Sequence, residues 1–83
     1  MARYLLEWDK AAFSELSQLL TRNPTAAQTV IDLAVALAED PELAGGSPYG
    51  ESSYHTARSG NWFVVFVVDD LTDRLQVVEF GSA

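Results

Sequence analysis

The segment from Trp62 to Phe80 reads WFVVFVVDDLTDRLQVVEF and decides the fold. Its first seven residues are all β-branched or aromatic and carry no charge, so both faces of this strand favour an apolar environment. The Asp-rich stretch from Asp69 to Asp73 separates it from a second strand-like run that ends at Phe80. The segment therefore predicts a hairpin whose first strand, Trp62–Val68, is central in its sheet.

Along the rest of the chain, the spacing at which apolar residues recur changes from two residues to about 3.6 residues and back to two. A two-residue alternation predicts a strand over Ala2–Trp8, and helical spacing of the apolar residues predicts helices over Ala11–Leu20 and Thr25–Glu39. Asn23 or Thr25 is expected to cap the second helix. Glu51–Arg58 is a polar strand candidate. The order β-α-α-β-β-β predicts an α+β domain, in which a helical pair packs on one face of a four-stranded, mainly antiparallel sheet.

Composition limits the classes of function. The 83 residues predict a single domain, residues 1–83, with one core. Twelve acidic residues against five basic ones give a net charge of −7, which argues against nucleic acid as a direct ligand, because that affinity comes largely from Lys and Arg. The chain has no cysteine and one histidine, and we expect neither a metal site nor a cofactor.

Location is inferred from the absence of apolar targeting segments. No stretch reaches the roughly 20 apolar residues of a membrane span, and Glu7 interrupts the N-terminal apolar run where a signal peptide would continue. These features predict a cytoplasmic protein without a membrane partner. Glu42–Gly50, which is rich in Gly and Pro, is predicted to be a linker between the two halves of the domain.

Four stretches of this chain, in this order of elements, resemble the RelE/ParE superfamily of bacterial toxins from toxin–antitoxin pairs. They are YLLEW at residues 4–8, LAEDP at 37–41, RSGNWFVVFVVDD at 58–70 and VVEFG at 77–81. In RelE-like members the resemblance implies ribosome-dependent mRNA cleavage by basic and aromatic residues on the exposed sheet face. In ParE-like members it implies gyrase poisoning, and in both it implies an antitoxin segment that wraps the toxin.

The residues that carry the family's RNA chemistry are mostly replaced here. By this resemblance Arg58 stands where the family has the arginine of its Leu-Arg motif, and Trp62 stands where it has a tyrosine. Phe63 replaces the arginine that follows that tyrosine, Tyr54 and Thr56 replace two lysines, and Gly81-Ser82-Ala83 replaces a closing Gly-His-Arg or Gly-Lys-Arg. RNA cleavage needs positive charge at the developing phosphorane, so the resemblance, carried over residue by residue, implies a divergent member without ribonuclease activity.

Three residues remain as weak catalytic candidates: Tyr54, His55 and Arg58, all on one predicted strand. Histidine is the residue type that most often serves as a general acid or base, whereas a single histidine on a polar strand is more typical of a solvated or hydrogen-bonding residue. For Arg58 the favoured interpretation is a structural ion-pair partner of one of the many carboxylates. The carboxylates of Asp69–Asp73 lack the ligand order of a calcium loop and indicate a solvated turn.

Strand alternation predicts a binding surface on the face opposite the helices. Phe63, Val65 and Val67 point to one side of the strand, and Trp62, Val64, Phe66 and Val68 point to the other. If the second set meets the helices, the first set forms an apolar patch on the open face, which is typical of an interaction site. The alternative is that the C-terminal tail or the Glu42–Gly50 segment covers that face.

The residues and the resemblance together leave three hypotheses on function. The first is a noncatalytic RelE/ParE-like domain that binds protein, either a second copy in a homodimer or an antitoxin-like segment. The alternative is an active toxin that inhibits gyrase or another target by binding. The third is an mRNA interferase, which the missing basic residues disfavour.

Overall fold

The computed structural model describes residues 4–40, 47–48, 54–69 and 71–82. Its elements, in chain order, are β1 (Leu5–Trp8), α1 (Lys10–Arg22), α2 (Pro24–Glu39), β2 (Ser47–Pro48), β3 (Tyr54–Ser59), β4 (Trp62–Asp69) and β5 (Arg74–Ser82). No helix in these described ranges is long and apolar enough to cross a membrane.

The predicted α+β architecture is confirmed. The strands lie in the order β1-β5-β4-β3-β2, so β4 is central as the sequence predicted. β1 runs parallel to β5, and the other neighbours are antiparallel. The four predicted strands are extended by the two-residue β2, which lies inside the segment expected to be a linker and pairs with Thr56 and His55 of β3.

The two helices form a hairpin that turns at Asn23. The side-chain oxygen of Asn23 accepts a hydrogen bond from the Ala26 N–H at 3.2 Å, so Asn23 and not Thr25 caps α2. The backbone N–H of Asn23 also donates to the Leu19 carbonyl at 2.7 Å, which closes α1. Asn23 thus caps both helices. α1 ends at Arg22, two residues beyond its predicted end at Leu20, and α2 begins at Pro24, one residue before its predicted start. Proline is tolerated in this first helical position because its missing N–H would have no partner within the helix.

The hydrophobic core lies between this helix pair and one face of the sheet. The largest fully buried side chains are Phe66, Leu37, Leu75, Val30, Val64 and Val77. The strip of α1 that meets the sheet is narrower than its apolar pattern, because Ala12, Leu16 and Leu19 are buried whereas Phe13 and Leu20 are 58% and 51% exposed.

A β-bulge interrupts the pairing of β4 with β5. Val65 lies opposite Glu79, and the next residue, Phe66, lies opposite Val77, so Val78 is the extra residue. Strict alternation from the buried Val77 would place Glu79 toward the helices. The bulge instead turns Phe80 toward the core and leaves Glu79 on the opposite face.

The hairpin turn between β4 and β5 is organised by the Asp69 carboxylate. It accepts hydrogen bonds from the Thr72 hydroxyl at 2.9 Å and from the Leu71 N–H at 3.0 Å. Asp73 closes the turn in the left-handed region, with φ of 53°. Among the residues that the structure describes, no group of acidic and histidine side chains could hold a metal ion.

The hydrogen bonds from Thr72 and then Leu71 lower the pKa of Asp69. A pKa lowered in the folded state stabilises the protein above the unfolded-state pKa, and this contribution is lost as the pH falls through the folded-state value. We expect Thr72→Ala to move the Asp69 pKa back toward its ordinary range. An NMR titration of the Asp69 carboxyl group measures this shift, and an unchanged pKa in the variant would contradict the assigned cause.

Candidate functional site

The sheet presents two chemically different faces. One packs under α1 and α2 and carries Trp62, Val64, Phe66 and Val68 of β4, as predicted. The opposite face, here called the open face, is covered by neither helix. Across the three neighbouring strands β3, β4 and β5 its rows are Arg58, Phe63 and Gly81; Thr56, Val65 and Glu79; and Tyr54, Val67 and Gln76.

The centre of the open face is a shallow depression of about 300 Å³. It is lined by Thr56, Arg58, Phe63, Val65 and Glu79. The Phe63 ring lies across Gly81, since a Cβ atom at position 81 would come within 3.0 Å of the Phe63 Cζ atom. Glycine in β5 therefore lets an aromatic ring lie flat on the sheet and form one wall of the depression.

The predicted binding residues differ in exposure. Val65 is only 5% exposed, although it lies on the open face and outside the helix-covered core cluster. Phe63 and Val67 are half-buried, and Tyr54 in the neighbouring strand is 41% exposed. The apolar patch is therefore smaller than three fully exposed side chains would make it. The segment proposed as a possible cover, Glu42–Gly50, lies outside the described residues apart from Ser47–Pro48.

The three catalytic candidates do not form one cluster. Tyr54 and Arg58 lie on the open face, opposite Val67 and Phe63. His55 points to the other side of the sheet, where its ring stacks on Phe66 at a centroid distance of 5.5 Å and an interplanar angle of 28°. His55 and Arg58 therefore lie on opposite faces of the sheet. A substrate bound on one face cannot contact both side chains, so the two cannot act together on one reaction.

The charges on the open face are sparse and of both signs. Arg58 makes no hydrogen bond or ion pair with a described residue, so the ion pair that its sequence context suggested is not formed within this part of the chain. Arg74 is paired with Glu7 at 3.3 Å, and both of these side chains are well exposed, so this pair contributes little stability. Arg58 is therefore the cation that remains beside the depression.

Glu79 is the residue of this site that the sequence did not reveal. It lines the same depression as Arg58 and likewise makes no ion pair with a described residue. The apolar residues Leu75 and Val77 predict by alternation that Glu79 faces the helices, and only the bulge at Val78 reverses this. The unfavourable burial of a carboxylate beside Phe80 was the available signal that the alternation breaks here.

Solved structures with a similar arrangement of helices and strands are known. No protein-family model and no curated protein matches the sequence. A chain of the RelBE2 toxin–antitoxin complex from Mycobacterium tuberculosis is similar in structure, with a TM-score of 0.84 and 21% identity, over 100% of this chain and 94% of that one.

Two further solved structures agree. The isolated E. coli RelE toxin matches with a TM-score of 0.80 and 21% identity, over 96% of this chain and 84% of that one. The YoeB/ParE toxin from Agrobacterium tumefaciens matches with a TM-score of 0.79 and 17% identity, over 95% and 98%. At these identities the likeness concerns the fold, and the resemblance read from the sequence is confirmed at that level: this chain has the fold of the RelE, YoeB and ParE toxins.

Proposed function

We propose that this chain is a bacterial, cytoplasmic protein of toxin–antitoxin type that acts by binding another protein through its open face, without ribonuclease activity. The observation that carries the proposal is the composition of that face, in which an apolar centre is bordered by Arg58 and Glu79, neither of which forms an ion pair with a described residue. An apolar centre with a polar border is the usual composition of a protein interface.

The toxin–antitoxin assignment rests on the fold. The RelBE2 structure from Mycobacterium tuberculosis is a complex of a toxin with its antitoxin, and this chain matches a chain of that complex along its whole length. We therefore propose an antitoxin-like segment or a second copy of this chain as the protein partner. Phe63, Val65 and Val67 are the proposed contact residues.

The same face is poorly suited to RNA cleavage. A phosphoryl transition state requires preorganised positive charge, and loss of one such donor costs about 10²–10³ in rate. Arg58 alone borders the depression among the described cations, and the Glu79 carboxylate opposite would repel a phosphate. His55, which could have supplied a base, lies on the other face of the sheet.

We expect the purified protein to leave mRNA intact on translating ribosomes. The assay is primer extension on an mRNA in a reconstituted translation reaction, with an active RelE-like ribonuclease as the positive control. Expression should also fail to arrest growth through mRNA cleavage. Codon-specific cleavage that is lost on changing Arg58 or His55 to alanine would overturn the proposal and favour an mRNA interferase.

A second candidate is an active toxin that inhibits gyrase or another protein by binding. The structural match to the YoeB/ParE toxin favours it, and inhibition by binding needs none of the missing basic residues. A supercoiling assay with purified gyrase distinguishes the candidates, because an antitoxin-binding or self-binding protein without toxin activity should leave the rate of supercoiling unchanged.

A further inference from the structure

Two charges of opposite sign flank the apolar centre of the open face in a regular geometry. Arg58 on β3 lies directly beside Phe63 on β4, and Glu79 on β5 lies directly beside Val65 on β4. A line from Arg58 to Glu79 therefore crosses β4 between Phe63 and Val65. With strands about 4.8 Å apart and about 3.4 Å per residue along them, the two Cα atoms are roughly 12 Å apart.

This arrangement is self-complementary. A twofold axis that lies in the plane of the face, perpendicular to the line from Arg58 to Glu79 and halfway along it, exchanges the two positions. A second copy placed by this axis brings its Glu79 against Arg58 and its Arg58 against Glu79. The same operation brings the Phe63 and Val65 centre against its own image, as an isologous interface requires.

Resting on the proposed function, in which the open face binds protein, we propose that this face is a symmetric dimer interface. In this interface Arg58 of each copy pairs with Glu79 of the other around the centre formed by Phe63 and Val65. Neither charge has an ion-pair partner among the described residues of its own chain, so association would supply one to each.

The ion pairs determine the orientation of the two copies. The apolar centre alone is a weak determinant, because Val65 is already 5% exposed in the single chain and Phe63 is half-buried. A net charge of −7 on each copy opposes association, and complementary charges at the contact offset this repulsion locally. Like charges placed opposite each other would instead prevent the contact.

Charge reversal tests the proposal without knowledge of any other partner. In sedimentation velocity at physiological salt, Arg58→Glu and Glu79→Arg should each weaken self-association by about tenfold or more, because each variant alone places like charges in contact. An equimolar mixture of the two should form a heterodimer in which both pairs are again complementary. The double variant R58E/E79R should also associate as well as the wild type.

Matched controls separate ion pairing from net charge. Arg22→Glu and Glu15→Arg make the same charge changes on exposed positions of α1 and should leave self-association nearly unchanged. Glu79→Arg is the decisive variant, because it reduces the net negative charge. Net charge alone therefore predicts stronger association, whereas loss of the pair predicts weaker association.

Three results would each overturn the dimer. The wild type could remain monomeric, the single variants could associate normally, or two folded single variants could fail to associate when mixed. Circular dichroism of every variant establishes that it is folded. The proposed function is judged separately. If the wild type is monomeric but still binds an antitoxin-like protein through Phe63, only the dimer inference fails, whereas loss of both kinds of binding also refutes the proposed function.

Discussion

Replacing Phe66 with alanine is expected to lower the free energy of unfolding by about 3–5 kcal/mol. Phe66 is 1% exposed on the core side of the central strand β4, and it also supports the ring of His55. A single domain is typically stable by only about 5–15 kcal/mol, so this variant should be close to unfolding at room temperature. Urea denaturation followed by circular dichroism measures the change.

Phe63→Ala is the matched control for this prediction. It removes the same side chain from the same strand, but from the half-buried position on the open face. We expect a smaller loss, roughly 1–2 kcal/mol, because less apolar area is removed from the interior. Equal losses in the two variants would mean that the two faces of β4 have been assigned wrongly.

Strand alternation was sufficient to predict the two faces of β4. Its run of β-branched and aromatic residues indicated a central strand, and the structure places it between β3 and β5 with Val64 and Phe66 in the core. Alternation works here because no bulge interrupts β4 itself and because the helices cover only one side. The β-α-α-β-β-β order followed from changes of period that are equally clear.

The same reasoning could have separated the catalytic candidates. Tyr54, His55 and Arg58 are close in sequence, but a period of two places His55 on the opposite face from the other two. The structure shows this separation, with His55 stacked on Phe66. Proximity along a strand is therefore a poor criterion for a shared site, since adjacent side chains point in opposite directions.

Strand alternation does not predict the depression, because the depression depends on two features of β5. The bulge at Val78 brings Glu79 to the open face, and Gly81 leaves room for the Phe63 ring to lie across the strand. Neither feature has a periodic signature. The position of a bulge depends on which of several pairings buries more apolar surface, and this is a property of the assembled sheet.

Phe63→Glu is expected to weaken binding of the protein partner by about 100-fold or more, because it places a charge without a partner at the centre of a dehydrated contact. Val67→Glu, two residues along the same face, should act in the same direction. Light scattering measures self-association. Isothermal titration calorimetry with the product of an adjacent reading frame, where one encodes an antitoxin-like protein, measures binding of the other proposed partner.

The matched control for these substitutions is Phe13→Glu. Phe13 is a 58% exposed phenylalanine on α1, on the helix side of the sheet, so the chemical change is the same and only the face differs. Binding should be retained in this variant and lost in Phe63→Glu, while circular dichroism shows both to be folded. Loss of binding in Phe13→Glu alone would place the interface on the helices, and retention in all three variants would remove the physical basis for a binding site on the open face.

Phe63 also lies between Arg58 and Glu79 on the open face. Its substitution should therefore abolish the heterodimer formed by the two charge-reversal variants, which would show that the apolar centre and the ion pairs belong to one interface.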